Sequence, residues 1–291
     1  MTGSALPPAV RAALDEPTAG ERLRTMGAGI AFSSLAWGDP FARPLLLLHG
    51  VTSSAATWWR LGPALAATGR RVIAVDLPGH GLTGQWTGHH RFRDNASDVA
   101  AFAAAAGLAR AGLQVIGHSW GAMTAAALPA AGLLPETIVL LDPPAVPLKA
   151  FEAMAADPDS RSFDTIDEAI VAVRAHNPAW QDGDVRAKAE ALTQLDPEAA
   201  LAVLLRNGDW DGGLADLAHP AAMGIPLWVV RGDPAVGGLL PDAALPAFLA
   251  RAGRDHVLTI RGAAHSPQRI HPVETTAALL RALEGWAARA G

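Results

Sequence analysis

Gly117-His118-Ser119-Trp120-Gly121 spells GHSWG, between the apolar run LQVI (113–116) and the small-residue run AMTAAALPAAG (122–132). A serine between two glycines, where a strand gives way to a helix, can be a turn residue, a helix N-cap or a nucleophile. The pattern G-x-S-x-G in a strand–turn–helix context favours the nucleophile. The glycines permit a sharp turn that leaves the hydroxyl at the carboxyl edge of a sheet. The N–H groups that follow then lie at the positive end of a helix.

Working outward, short β-rich runs alternate with longer helical patterns, the mark of βα units and a mostly parallel sheet. Residues 21–38 read as two opening strands joined by glycine, and PLLLLHG (44–50) as a strand covered on both faces. A helix over 56–69, a strand over 71–79 and a helix over 93–109 follow, the last with Asp94, Asn95 or Ser97 as a possible cap. Next come a strand at 113–119, a helix at 120–131 and a strand at 136–142. From 143 to 220 only helical patterns occur, over 149–160, 165–178 and 185–205. Alternation resumes with a strand at 226–232, a helix near 241–253, a strand at 255–262 and a closing helix at 273–290. The expected fold is α/β: a mostly parallel central sheet of about eight strands flanked by helices, with a helical cap inserted after the sixth strand. Residues 1–142 and 221–291 form the core in this reading, and 143–220 the insertion.

The 291 residues are half apolar and 18% charged, enough for one large α/β domain. A net charge of −5 with scattered Lys and Arg lacks the basic face of a nucleic-acid binder. The absence of cysteine excludes disulfides, thiolate metal sites and a thiol nucleophile. Residues 1–24 carry charges and three prolines where a signal peptide needs an apolar core. The longest apolar runs, such as AAFAAAAGLA (100–109), fall short of the roughly 20 residues of a membrane span. A cytoplasmic protein acting on a small molecule, with no membrane partner, is the expectation. Oligomeric state is not legible.

A serine nucleophile needs a base. His265, in the loop after the last predicted strand, stands where the order Ser, Asp, His places it. His271 reads as the cap region of the closing helix, and His118 as pocket lining or packing. The oxyanion of acyl transfer needs two donors. Trp120 N–H supplies one, and Val51 N–H, after His49-Gly50, the other. GHGLTG (79–84) satisfies G-x-G-x-x-G, with Asp98 in range of a ribose, but no apolar-periodic helix follows it. Dinucleotide binding is therefore not expected. His80, His89 and His90 read as surface loop, not as metal ligands. RGD (231–233) ends a buried strand and is not read as an adhesion signal.

LLLLHGVTSS (45–54), VDLPGHGLTG (75–84), VIGHSWGAM (115–123), LLDPP (140–144), WVVRGDP (228–234) and GAAHSP (262–267) stand in the family order of the α/β-hydrolase fold, which the chain resembles over nearly its whole length. The resemblance implies a Ser-His-acid triad, a cap over the insertion, and neither metal nor organic cofactor. The commoner family pattern places the acid in a G-x-x-D that falls here on Ala235, and Asp233 stands two positions early. A minority of the family, including haloalkane dehalogenase-like members, carries it where Asp142 ends its strand. Asp142 is the preferred acid and Asp233 the alternative.

The structural reading of Asp142 is a turn cap before Pro143-Pro144, and of Asp233 a loop residue bonding its own backbone. His49, Gly50, His118, Trp58 and Trp180 are candidates for the pocket wall. No arginine cluster marks a polyanionic substrate, so an uncharged ester, lactone or thioester of modest size is expected. Serine at the elbow argues against dehalogenase and epoxide hydrolase chemistry, which in this family uses aspartate. Carbon–carbon bond hydrolysis, cofactor-independent peroxidation and a non-catalytic ligand receptor remain open alternatives.

Overall fold

A computed structural model describes residues 6–84, 86–156 and 161–284. The ends of two predicted helices, 157–160 and 285–290, lie outside the described residues. Eight strands form one sheet: β1 (Glu21–Gly27), β2 (Ile30–Trp37), β3 (Arg43–Leu48), β4 (Arg70–Val75), β5 (Gln114–His118), β6 (Thr137–Leu141), β7 (Leu227–Arg231) and β8 (Val257–Thr259). Their order across the sheet is β1-β2-β4-β3-β5-β6-β7-β8. β2 runs antiparallel to β1 and β4, and every other pairing is parallel.

The wholly apolar strands sit in the middle because both faces are covered. In β3, Leu46 and Leu48 enter one core cluster with Ile73, Val75, Val115 and Leu140. Leu45 and Leu47 enter the other with Val72, Ala74, Ile116 and Val139. All four leucines are fully buried. The two-residue repeat of strand side chains thus feeds both layers from one run, and each leucine contributes about 2 kcal/mol of burial. Edge strand β1 alternates exposed and half-buried positions instead.

Helices α1 (Pro8–Asp15), α2 (Leu61–Ala66), α3 (Phe92–Ala105) and α4 (Trp120–Ala127) precede β6. Between β6 and β7 the described chain runs through α5 (Leu148–Ala155), α6 (Ile166–His176), α7 (Asp182–Thr193), α8 (Pro197–Leu205) and the short α9 (Leu214–Leu217), with no strand. α10 (Leu245–Ala252), α11 (Pro267–Ile270) and α12 (Pro272–Glu284) complete the chain.

Local chemistry shifts several predicted boundaries. The helix expected over 56–69 is a 3-10 turn at Ala55–Trp58, opened by the Ser54 hydroxyl accepting from Ala56 N–H, followed by α2. α3 begins at Phe92 behind Arg91 without a side-chain cap, so Asp94, Asn95 and Ser97 lie inside it. The strand expected over 71–79 ends at Val75, where the Asp76 carboxylate takes the N–H groups of Ala55 and Leu82. β8 is only three residues long, because Arg254–His256 form a 3-10 turn before it.

The turn after β5 is the tightest place in the sheet. A Cβ on Gly117 would stand 2.1 Å from Gly121 O, and one on Gly121 would stand 2.5 Å from Leu48 O. Both obstacles are backbone, so neither can yield by a rotamer change. Gly121→Ala is therefore expected to cost at least about 2 kcal/mol of unfolding free energy, read as a lower denaturant midpoint in a chemical unfolding curve. A midpoint equal to wild type would show that α4 approaches β3 less closely.

Candidate active site

Ser119 caps α4 with φ 56° and ψ −120°, a conformation that costs roughly 1–3 kcal/mol for a residue with a side chain. Ser119 N–H donates to Leu141 O, pinning the turn to the neighbouring strand. Ser119 Oγ lies 2.8 Å from His265 Nε2, and His265 Nδ1 lies 2.7 Å from Asp142 Oδ2. Three segments separated by up to 146 positions thus meet in one hydrogen-bonded line.

Asp142 also departs from ordinary backbone, with φ 43°. Its carboxylate is fully buried, with Oδ1 accepting from Gly232 N–H at 2.9 Å and Oδ2 from Leu239 N–H at 3.0 Å. Burial pushes its pKa up. The hydrogen bond and charge of His265, with the two backbone donors, outweigh burial and hold it below the usual carboxylate range. Asp233 does not reach His265. It accepts from Ala235 N–H and Gly262 N–H, as the loop residue its alternative reading describes.

The loop after β3 comes up against the serine because it has no side chain there. A Cβ on Gly50 would lie 3.2 Å from Ser119 Cβ and 3.3 Å from His118 Nδ1. Gly50 O accepts from Ser53 N–H at 3.1 Å and pairs with His49 Nδ1 at 2.8 Å. Because a peptide unit is planar and trans, anchoring that carbonyl turns the Val51 N–H the opposite way. Neither Val51 N–H nor Trp120 N–H has an acceptor among the described residues. These are the donors the sequence marks for an oxyanion.

Ser119, His265, Gly50, Val51, His118 and Trp180 line one cleft of about 170 Å³, whose apolar remainder includes Phe151, Met154, Leu204 and Trp210. Two predicted wall residues lie elsewhere. Trp58 is fully buried in the core cluster that holds Leu45 and Leu47, because the 3-10 turn faces it inward. His49 is sealed behind the loop, with Nδ1–H on Gly50 O and Nε2 accepting from Leu77 N–H. His80 is not a surface residue either: it is buried, bonds Val51 O and packs on Trp120. His89 pairs with Asp98 at 3.0 Å, which commits that acid within the chain. His271 directly precedes α12 and accepts from Thr275 N–H through its carbonyl.

His118 Nε2 donates to His265 O at 2.8 Å, and its ring lies 5.0 Å from that of His265. Burial, then the neighbouring His265, lowers its pKa to about 3, so it stays neutral beside the serine.

Sequence reading missed two cations on the cleft wall. Lys188 of α7 donates to Thr52 O at 2.8 Å and to the Thr52 hydroxyl. Arg269 of α11 follows His265 by four positions in the chain. The only available signal for Arg269 was that spacing; for Lys188 there was none. Their presence runs against the expectation of a cleft built for an uncharged ligand.

The pattern shared by proteins of the alpha/beta hydrolase fold matches residues 43–270. The chain belongs to this family. A pimeloyl-[acyl-carrier protein] methyl ester esterase from Edwardsiella ictaluri is 30% identical over 84% of this chain and 94% of that protein. The solved structure of E-2-(acetamidomethylene)succinate hydrolase superposes with a TM-score of 0.76 at 24% identity, covering 91% of this hydrolase and 99% of that chain. The chain spans only 33% of the length of another relative, the serine hydrolase-like protein of Dictyostelium discoideum, at 34% identity over 40% of its own. Among the described residues no helix is long and apolar enough to cross a membrane.

The buried histidines set an acid limit on stability. Burial lowers the His49 pKa to about 4, against a bond to Gly50 that raises it. The unfolded chain therefore binds the proton more readily, and this share of stability is lost as pH falls from about 6.5 towards 4. His49→Asn removes the titrating ring, so the advantage of wild type over the variant is expected to narrow by up to about 3 kcal/mol across that range. Urea unfolding at pH 7, 6, 5 and 4 reads this directly, and a constant gap would contradict it.

Proposed function

We propose that this alpha/beta hydrolase is a serine hydrolase that cleaves a modest-sized ester, lactone or thioester through an acyl-enzyme. The observation that carries the reading is the unbroken line from the Ser119 hydroxyl through His265 to buried Asp142, at 2.8 and 2.7 Å. The relative named a methyl ester esterase, matched over 94% of its length, supports an ester as the bond opened.

In the proposed reaction His265 Nε2 takes the Ser119 proton as Oγ bonds the carbonyl carbon. The carbonyl oxygen becomes an oxyanion held by the N–H groups of Val51 and Trp120. Collapse breaks the bond to the leaving oxygen or sulfur, which receives the proton from His265. A water molecule, deprotonated by the same imidazole, then attacks the acyl carbon and releases the acid, restoring the serine. Asp142 holds the ring with Nδ1–H towards itself and offsets the positive charge formed on it. We assign residues 143–220 the role of a cap, because Phe151, Met154, Trp180, Leu204 and Trp210 from this stretch supply the apolar side of the cleft.

Ser119→Ala and Asp142→Asn are each expected to lower kcat on a short activated ester by about 10⁴-fold. Asp233→Asn should stay within a few-fold of wild type, since it lies outside the line of proton transfer. Covalent labelling by a fluorophosphonate probe should map to Ser119. Undiminished turnover in Ser119→Ala would overturn the proposal, and equal losses in the two aspartate variants would overturn the choice of acid.

A further inference from the structure

The cleft wall contains a cation for which the proposed acyl transfer has no use. Arg269 is 7% exposed, and its guanidinium carbon lies 4.5 Å from the centre of the Trp180 ring. Nη2 donates to Thr57 Oγ1 at 2.9 Å and reaches Ser53 Oγ at 3.4 Å. Nε is sealed from solvent and has no acceptor. Among the described residues no carboxylate stands within ion-pair distance of it. The acid whose charge acts on Arg269 is Asp184. Asp184 Oδ1 accepts from Trp59 Nε1, its Oδ2 has no donor, and burial pushes its carboxyl up, which weakens it as a counterion.

A guanidinium in a largely desolvated wall, held by two neutral hydroxyls, is costly unless an anion meets it. A purely structural bridge between α11 and the turn at Ser53–Thr57 accounts for the bonds of Nη2 and leaves the charge of the guanidinium without a counterion. Two further orphaned polar atoms, His118 Nδ1 and Trp210 Nε1, belong to residues of the same cleft. Stacking on Trp180 and the bonds to Ser53 and Thr57 fix the plane of the guanidinium in advance, and a cation held in one orientation suits a carboxylate.

We propose that Arg269 binds a carboxylate of the substrate, so that the cleft takes the monoanionic half-ester or half-thioester of a short dicarboxylic acid. The inference rests on the serine hydrolase reading for the reacting end and on Arg269 for the acid end. The cleft of about 170 Å³ is smaller than a drug-sized site, which limits the acyl chain between the two ends to a few carbons. Hydrolysis of such a half-ester consumes one water and yields the dicarboxylic acid and an alcohol. The reaction that supplies the substrate is one that esterifies or thioesterifies a single end of a short diacid.

The test compares monomethyl succinate, glutarate and adipate with neutral methyl esters in which an isopropyl group replaces the carboxylate. Wild type is expected to favour at least one acid over its neutral partner by about 30-fold or more in kcat/KM, mainly through KM. Arg269→Gln should collapse that ratio towards one, while Arg269→Lys, which keeps the charge without the fork, should retain part of it. General damage to the fold lowers both rates and leaves the ratio intact, and that result overturns the proposal. Calorimetric titration of Ser119→Ala with glutarate gives a readout without turnover: binding expected with Arg269 present, and lost in Ser119→Ala/Arg269→Gln. If Ser119→Ala still hydrolyses the esters, the hydrolase reading fails while the titration still decides the acid site. If wild type treats acid and neutral esters alike, or glutarate binds equally without Arg269, the acid site is refuted and the hydrolase reading stands.

Discussion

The site depends on how closely three backbones approach one another around Ser119. Gly117 and Gly121 let α4 leave β5 without a side chain in the way, and Gly121 lies against the carbonyls of Leu48 and His49. Gly50 lies against the serine from the other side. The unfavourable φ of 56° at Ser119 is held by packing on all sides, with its N–H committed to Leu141. Such strain persists only where surrounding structure over-determines it. Here it presents the Ser119 hydroxyl to His265 Nε2 at the end of β5. The proposed nucleophile and the proposed oxyanion donors thus depend on the same close packing of backbones.

The remaining partners are fixed by burial. Asp142 closes its strand with a second positive φ, and its carboxylate accepts from two backbone N–H groups as well as from His265. An acid so engaged has no freedom to leave the imidazole. His265 needs that anchor because it sits on a loop beyond the short edge strand β8, where the sheet offers little rigidity. His118 adds a second tie through the His265 carbonyl. His49 does for the loop after β3 what Asp142 does for His265: one ring nitrogen holds the Gly50 carbonyl and the other takes the Leu77 N–H.

Sequence periodicity sufficed for the sheet, since runs such as LLLL and TIVLL are buried on both faces and can be little else. The G-x-S-x-G junction and the late histidine were legible for the same local reason. Helix starts were less so: α3 begins without the side-chain cap that Asp94, Asn95 and Ser97 advertise. The choice between Asp142 and Asp233 turned on which strand end faces His265, a matter of β6 lying between β5 and β7 in the sheet. Trp58 and Trp59 are adjacent, yet one is core and the other bonds Asp184, a division set by a 3-10 turn that no periodicity reveals. Arg269 and Lys188 are 81 positions apart in the chain and share a wall only through tertiary packing.

That wall bears on the chemistry beside it. In the proposed reaction His265 becomes a cation when it takes the serine proton. Asp142 favours this step. His118 does not oppose it, because burial keeps its ring neutral although it lies 5.0 Å away. Arg269, on the same wall, likewise disfavours a charge on His118. In the proposed complex a substrate carboxylate supplies the counterion that this guanidinium lacks among the described residues. On the proposed reading the acid group of the substrate is held at Arg269 while Ser119 and His265 act on the other end, so that selectivity for the acid is set by binding on a wall separate from the line of proton transfer.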